Sequence, residues 1–320
     1  MFARFLLRRV LLMVPILLIV AVMVFMLMHL IPGDPAVVIL GEMATPQTVA
    51  ALRHELGLDQ PLAWQFFGWL GQVVQGNLGR SLIDGTPVVK ILSQRLPITL
   101  ELGALAFASS AVIALPAGIV SAARRGSAAD YGTTILALAG LSIPSFWLGI
   151  MLILFFAVQL HLLPAGGYVP FSRSPLQNLV SLILPALSVG VRTAAVMARQ
   201  LRAALLEVFR ADFIRTAEAK GVSRPGILFR HALKNALMPV VTVAGLELGG
   251  LLGGIVFTEV IFDIPGLGSL LVQSIMQRDY ITLQGGVLVA ALIVVTVNLL
   301  TDIAYSLIDP RIQLAGERRR

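Results

Sequence analysis

The chain has 320 residues, 57% hydrophobic and only 13% charged, with mean hydropathy +0.89 and net charge +7. Soluble domains sit nearer a quarter charged, and apolar runs of about 20 residues, enough to cross roughly 30 Å of hydrocarbon, recur here, so a soluble globule is excluded. The apolar segments are continuous rather than alternating, which argues against a β-barrel.

The absence of cysteine removes disulfides, Fe–S clusters and Cys-ligated zinc, and the four histidines (His29, His54, His161, His231) are too scattered for a multi-His metal site. No cofactor is expected. The positive charges cluster beside the apolar runs, where membrane topology accounts for them better than nucleic-acid binding does.

Residues 1–9 carry three arginines, and an apolar run follows from Val10 to about Ile31. This run is longer than a signal-peptide core and lacks a small-residue cleavage site, so it reads as a retained first span. Residues 32–97 form an extracytoplasmic loop. Pro32, Gly33 and Pro35 stop the first helix, Thr45 caps a helix with Pro46 at its first position, and Gly57 ends the amphipathic stretch through Leu52 and Leu56. A second amphipathic stretch, WQFFGWLGQVV, places Trp64, Phe67 and Trp69 along a bilayer surface, as a docking lid or as an interfacial helix packed on its own bundle.

Arg95-Leu96-Pro97 opens the second span, about Ile98 to Val120. The third runs from about Thr133 to Gln159, and Pro144 should kink it. LLPAGGY and the Pro/Ser-rich residues after it make an outer turn, and the fourth span is about Leu179 to Met197. The fifth is about Met238 to Ile261 and the sixth about Leu283 to Ile308. The result is an all-α polytopic protein of six transmembrane helices, with a five-span core over residues 98–320. With both termini cytoplasmic, 17 of the 24 Lys and Arg fall in inner segments. That asymmetry supports an even number of spans.

No GxxxxGK[ST], HExxH or GxSxG motif occurs, so neither ATP hydrolysis through a Walker cradle nor a familiar hydrolase site is present. The few intramembrane polar residues carry what site signal there is, because such groups are costly and face protein or water. Glu247 lies in GLELGGLLGG. At helical spacing Gly245, Gly249 and Gly253 form a packing row, while Glu247 shares the other side with Gly250 and Gly254. Glu247 and Gly250 either line a water-filled pathway or belong to a carboxylate site internal to the bundle. In the sixth span Asn298, Asp302 and Tyr305 share a face; Asn298 is a further pathway candidate. Arg192 lies at a depth comparable to Asp302, which suggests a buried Arg192–Asp302 pair. Glu101, near the outer end of the second span, reads as reaching the headgroups.

Between spans four and five, Arg199–Pro239 is dense in Lys and Arg. Its punctuation predicts a helix over 211–220, a left-handed break at Gly221, a cap at Ser223 and a second helical run from Arg224 to about Asn235. Such turn chemistry describes a rigid elbow rather than a loose topological loop.

HLIPGDP, LGLDQPL, RLPITLEL, SIPSFWLG, LLPAGG, DFIRTAEAKG, FRHALKNALMPVVT, FDIPGLG and LIDPRIQ occur in this order. Together they resemble the permease subunits of bacterial dipeptide/oligopeptide ABC importers, the first of the two permeases in particular. The resemblance implies a type I ABC importer fold in the cytoplasmic membrane. It also implies a heterodimer with a second homologous permease, two cytoplasmic ATPase subunits and an extracytoplasmic substrate-binding protein. Segment 199–237 is then similar to the family's coupling loop, with Asp212, Arg215, Thr216, Ala217, Glu218, Ala219, Lys220 and Gly221 as the ATPase-contacting residues. Against the general importer pattern EAA-x3-G-x9-I-x-LP, Arg215 replaces the leading Glu and Lys234 the Pro, as is usual for the peptide branch.

The implied activity is ATP-driven import by alternating access, with no chemistry on this chain. The resembling family also handles nickel chelates, glutathione and oligosaccharides. An ion-gradient-driven secondary transporter is the competing class, but it would want repeat-symmetric broken helices around a midplane ion site; a membrane enzyme is a third.

Overall fold

The computed structural model describes residues 2–30, 35–40, 43–55 and 57–308. The turn at Pro32 and Gly33, Leu56, the side chains of Leu52 and Tyr305, and the basic tail beyond Ile308 lie outside the described residues. Every element within them is helical apart from one isolated bridge between Arg80 and Pro87.

Helix α1 spans Phe2–Leu30, and the short helices α2 (Pro35–Leu40), α3 (Pro46–Glu55) and α4 (Leu62–Val74) follow. α3 begins as expected, with Thr45 and Thr48 exchanging side chain-to-backbone bonds at its start, and the chain turns at Gly57 in the left-handed region (φ 65°). In α4 the aromatic residues divide. Phe66 and Trp69 stack around Phe25 of α1, with centroids 5.4 and 5.7 Å from its ring. Trp64 and Phe67 face outward and are exposed. α4 therefore packs on its own bundle by one face and presents apolar rings with the other.

The long helices are α5 (Val88–Ala123), α8 (Pro175–Val208), α11 (Leu233–Ile261) and α13 (Tyr280–Ile308). α5 opens at Val88, well before the span start expected near Ile98, and Pro97 lies inside it. A proline costs a helix one backbone bond and some crowding; here the surrounding bundle absorbs it. α8 is the hub, packing on α5, α6 (Ala128–Ser142), α7 (Ser145–Leu152) and α11. Its close approach to α5 depends on missing side chains: a Cβ on Gly190 would stand 2.6 Å from the Ala106 carbonyl, and one on Gly118 2.9 Å from that of Ala198. Glycine at such crossings lets two backbones touch.

The third span departs from a simple kink. α6 and α7 meet at 108°, and α7 continues as a π-helix over Ile153–Gln159. Ile143 (ψ 124°) and Pro144 (ψ 137°) are both extended, so the proline starts a new helix instead of bending an old one. The pyrrolidine ring excludes the preceding residue from helical geometry, and here that preference prevails. Among the described residues, four helices are long and apolar enough to cross a membrane singly. The bent pair α6/α7, and the rod that starts at α10 (Arg224–Gly226) and runs through α11 with a 52° bend between Leu251 and Gly253, bring the number to six when each is counted as one span.

Helix α12 (Leu267–Met276) has no counterpart among the expected elements. Ten residues are too few to span hydrocarbon, and it packs beside α11 and α13 at the end where α5 begins.

Candidate functional site

The stretch between α8 and α11 folds into an elbow. α8 runs on to Val208, so Arg199–Val208 belongs to that helix and the turn region shrinks to the residues after it. α9 then covers Asp212–Ala219. Its Ile214 and Ala217 are buried against Leu201, Leu205, Ile227 and Ala232. Asp212, Arg215, Thr216, Glu218, Ala219, Lys220 and Gly221 remain exposed. The Arg215–Asp212 contact is long, 3.4 Å, and lies wholly in solvent, so it leaves the charged face free.

α9 ends in a Schellman turn. Val222 N–H donates to the Ala217 carbonyl at 3.2 Å and Gly221 N–H to that of Glu218 at 2.9 Å, with Gly221 at φ 77°. Ser223 then caps α10 by accepting Gly226 N–H at 3.4 Å. The expected second short helix has no end of its own. Arg224–Gly226 passes through a π-helical stretch, Ile227–Ala232, directly into α11, so the elbow is one continuous rod with a membrane-crossing helix.

The intramembrane polar groups pair differently from expectation. Arg192 does not meet Asp302. Its Nη1 lies 3.3 Å from Glu247 Oε2, whereas Asp302 receives Arg9 of α1 at 2.6 Å. The correction has a simple cause: α13 packs along α1 as well as α11, and α1 reaches Asp302 first. Depth along the membrane matched Arg192 to Asp302; direction around the helix did not.

The glycine row divides as expected in part. Asn298 Oδ1 of α13 lies 2.8 Å from where a Gly249 Cβ would be, and Thr301 donates to the Gly245 carbonyl at 3.4 Å. Gly253 has open space instead. Asn298 thus belongs to the α11–α13 packing face, and the structure does not bring it together with Glu247. Gly250, one turn from Glu247, faces open space with no atom within 4 Å of a Cβ position.

Two polar clusters at the α12 end escaped sequence reasoning. Glu259, fully buried, accepts the Thr99 hydroxyl at 2.5 Å and the Ser269 amide at 2.9 Å, while Thr99 Oγ1 accepts Leu267 N–H at 2.7 Å. The orphan amides that open α12 are satisfied from α11 and α5. Asp279 similarly accepts Ser81 Oγ at 2.5 Å, Leu82 N–H at 3.1 Å and Thr282 Oγ1 at 2.7 Å, tying the loop before α5 to the start of α13. Glu101 is also engaged internally, accepting the Tyr168 hydroxyl at 2.7 Å. Burial and that carboxylate push the Tyr168 pKa up to about 12. At the opposite end, Arg202 grips Asp130 with both nitrogens at 2.7 and 2.9 Å. Glu259 in TExxFxxPGLG was a readable sign of a cap for α12; the others join residues too distant in sequence to be matched by spacing.

Residues 114–314 match the family described as binding-protein-dependent transport system inner membrane component, and residues 1–103 match the N-terminal family of the same membrane components. A putative peptide transport system permease protein of Brucella melitensis is 45% identical over 313 residues, covering 98% of this chain and 99% of the relative. The dipeptide transport system permease protein of Escherichia coli K12 is 39% identical, covering 97% and 98%. Among solved structures, an inward-facing methionine ABC transporter superposes with TM-score 0.56 at 20% identity, over 68% of this chain and 96% of that one. At that identity the likeness speaks for fold.

Proposed function

The chain belongs to the binding-protein-dependent transport system inner membrane components, a family of membrane permeases, and from that premise we propose that it carries di- and oligopeptides inward by alternating access. In this reading it pairs with a second, homologous permease in a bacterial cytoplasmic membrane, both termini inside. Two ATPase subunits supply the energy and an extracytoplasmic binding protein delivers the substrate. The chain itself performs no chemistry.

The observation that supports this reading best is α9. A short helix anchored by two buried residues, with its charged face exposed and its far end locked by the Gly221 turn, is suited to receive a push. Because α10 runs without a break into α11, a displacement of α9 would pass as rigid-body motion into a membrane span rather than dissipate in a loop. Peptide as cargo rests on the names of the curated relatives.

Deleting residues 212–221 tests the coupling role. ATPase subunits should no longer co-purify, or ATP-dependent peptide uptake should cease in liposomes holding the whole complex. Retained assembly together with retained coupled uptake would overturn it. Uptake by this chain alone, driven by an ion gradient, would instead favour a secondary transporter.

A further inference from the structure

Arg192 and Glu247 stand at the middle of their helices. Glu247 is 14 residues from either end of α11, and Arg192 is 17 and 16 residues from the ends of α8. Charges at that depth are expensive unless they face water or a partner. Even so, the Arg192 side chain is 56% exposed and Glu247 18%.

The pair is also loosely made. One guanidinium nitrogen meets one carboxylate oxygen at 3.3 Å. The Arg202–Asp130 pair shows what this fold builds when it wants a fixed bridge: two contacts, 2.7 and 2.9 Å, with the carboxylate 5% exposed. Arg192 keeps unused donors in a fork suited to a carboxylate, and Glu247 keeps a second acceptor oxygen. One turn along α11 from Glu247, Gly250 leaves a position without a side chain and with nothing within 4 Å of where a Cβ would stand.

We propose that Arg192 and Glu247 form an exchangeable latch for the two termini of a peptide, which rests on the permease reading above. When the pathway is empty, each charge neutralises the other, so neither stands alone in a low-dielectric region. A peptide main chain brings one carboxylate and one ammonium. Its carboxylate takes Arg192, its ammonium takes Glu247, and the side-chain-free position at Gly250 leaves room for the cargo backbone beside them. Two ion pairs replace one ion pair and a solvated zwitterion, so the exchange leaves no charge uncompensated. Side chains of the cargo take no part, which suits a transporter of varied peptides.

The test uses the complete complex in liposomes, with ATP-dependent uptake of labelled dialanine, N-acetyl-dialanine and dialanine amide. Each is supplied at a binding-protein concentration that saturates delivery, and the binding protein's affinity for each is measured separately. The wild type should prefer dialanine over either capped form by about tenfold beyond what binding-protein affinity accounts for. Arg192→Gln should abolish discrimination against the amide but not the acetyl form, Glu247→Gln the reverse, and Arg192→Lys should keep most of the preference. Equal loss of uptake for all three peptides in both variants, or unchanged discrimination, overturns the latch while leaving the permease reading intact. Wild-type complex that takes up none of the three overturns the peptide reading and the latch with it.

Discussion

The surroundings of α12 and the outer face of α9 use charge in opposite ways. At the α12 end, Glu259 and Asp279 are buried and their oxygens are occupied by amides and hydroxyls from α5, α12, α13 and the loop before α5. At the α9 end, Asp212, Arg215, Glu218 and Lys220 face outward, with only one long contact among them. Carboxylates whose hydrogen bonds are all satisfied within the chain serve as scaffold. Charges left open on a helix that is itself firmly anchored are available to another molecule.

The contrast can be broken most forcefully at Glu259. Glu259→Ala strands the Thr99 hydroxyl and the Ser269 amide, each costing about 1–3 kcal/mol when buried and unmatched. A loss of about 2–6 kcal/mol should appear in thermal unfolding of the detergent-solubilised chain, with faster hydrogen exchange at the start of α12. Unchanged protection there would show that Glu259 does not hold that helix.

At the other end the expected effects separate by face. Ile214 is 1% exposed, and Ile214→Ala should cost about 2 kcal/mol, the low end for a buried isoleucine because α9 is short and peripheral. Arg215→Ala and Glu218→Ala should change stability by no more than about 0.5 kcal/mol in the same unfolding measurement. A large stability loss from either would mean that the outward face is structural after all.

The smallest effect lies at the end of α3, where His54 Nδ1 and Asp59 Oδ2 of the turn that follows are 2.7 Å apart and exposed. The hydrogen bond to Asp59 raises the His54 pKa above 6.5, and the same bond lowers that of Asp59 below 3.8. The His54 contribution is complete below its unfolded pKa and fades as pH rises through the raised folded value. The Asp59 contribution is present above its unfolded pKa and is lost as pH falls through the lowered folded value. The contact is therefore strongest between about pH 4 and 6.5. Titrating the His54 ring by NMR should give a pKa that falls on Asp59→Asn; no change would show that the contact is not formed in solution.

The long apolar runs, the helix from Thr45 and the elbow at Gly221 were legible because each depends on local chemistry: hydrophobic length, a hydroxyl cap, a left-handed glycine. The ends of the long helices were less so. α5 begins before Pro97 and α8 continues past Arg199 because bundle packing outweighs a proline or a run of charge. The break at Pro144 was visible as a residue but not as a 108° turn, since the angle depends on what α8 and α11 offer the two halves.

Sequence alone therefore determined the class of the protein, the positions of most long apolar helices and the elbow, because those depend on residues adjacent in the chain. Only the tertiary structure decided which charges meet. Arg192 turned to Glu247, Arg9 took Asp302, and Asn298 settled on Gly249. Helical periodicity says which residues share a face; which neighbour that face meets is set by how whole helices pack, across separations such as the 55 residues between Arg192 and Glu247.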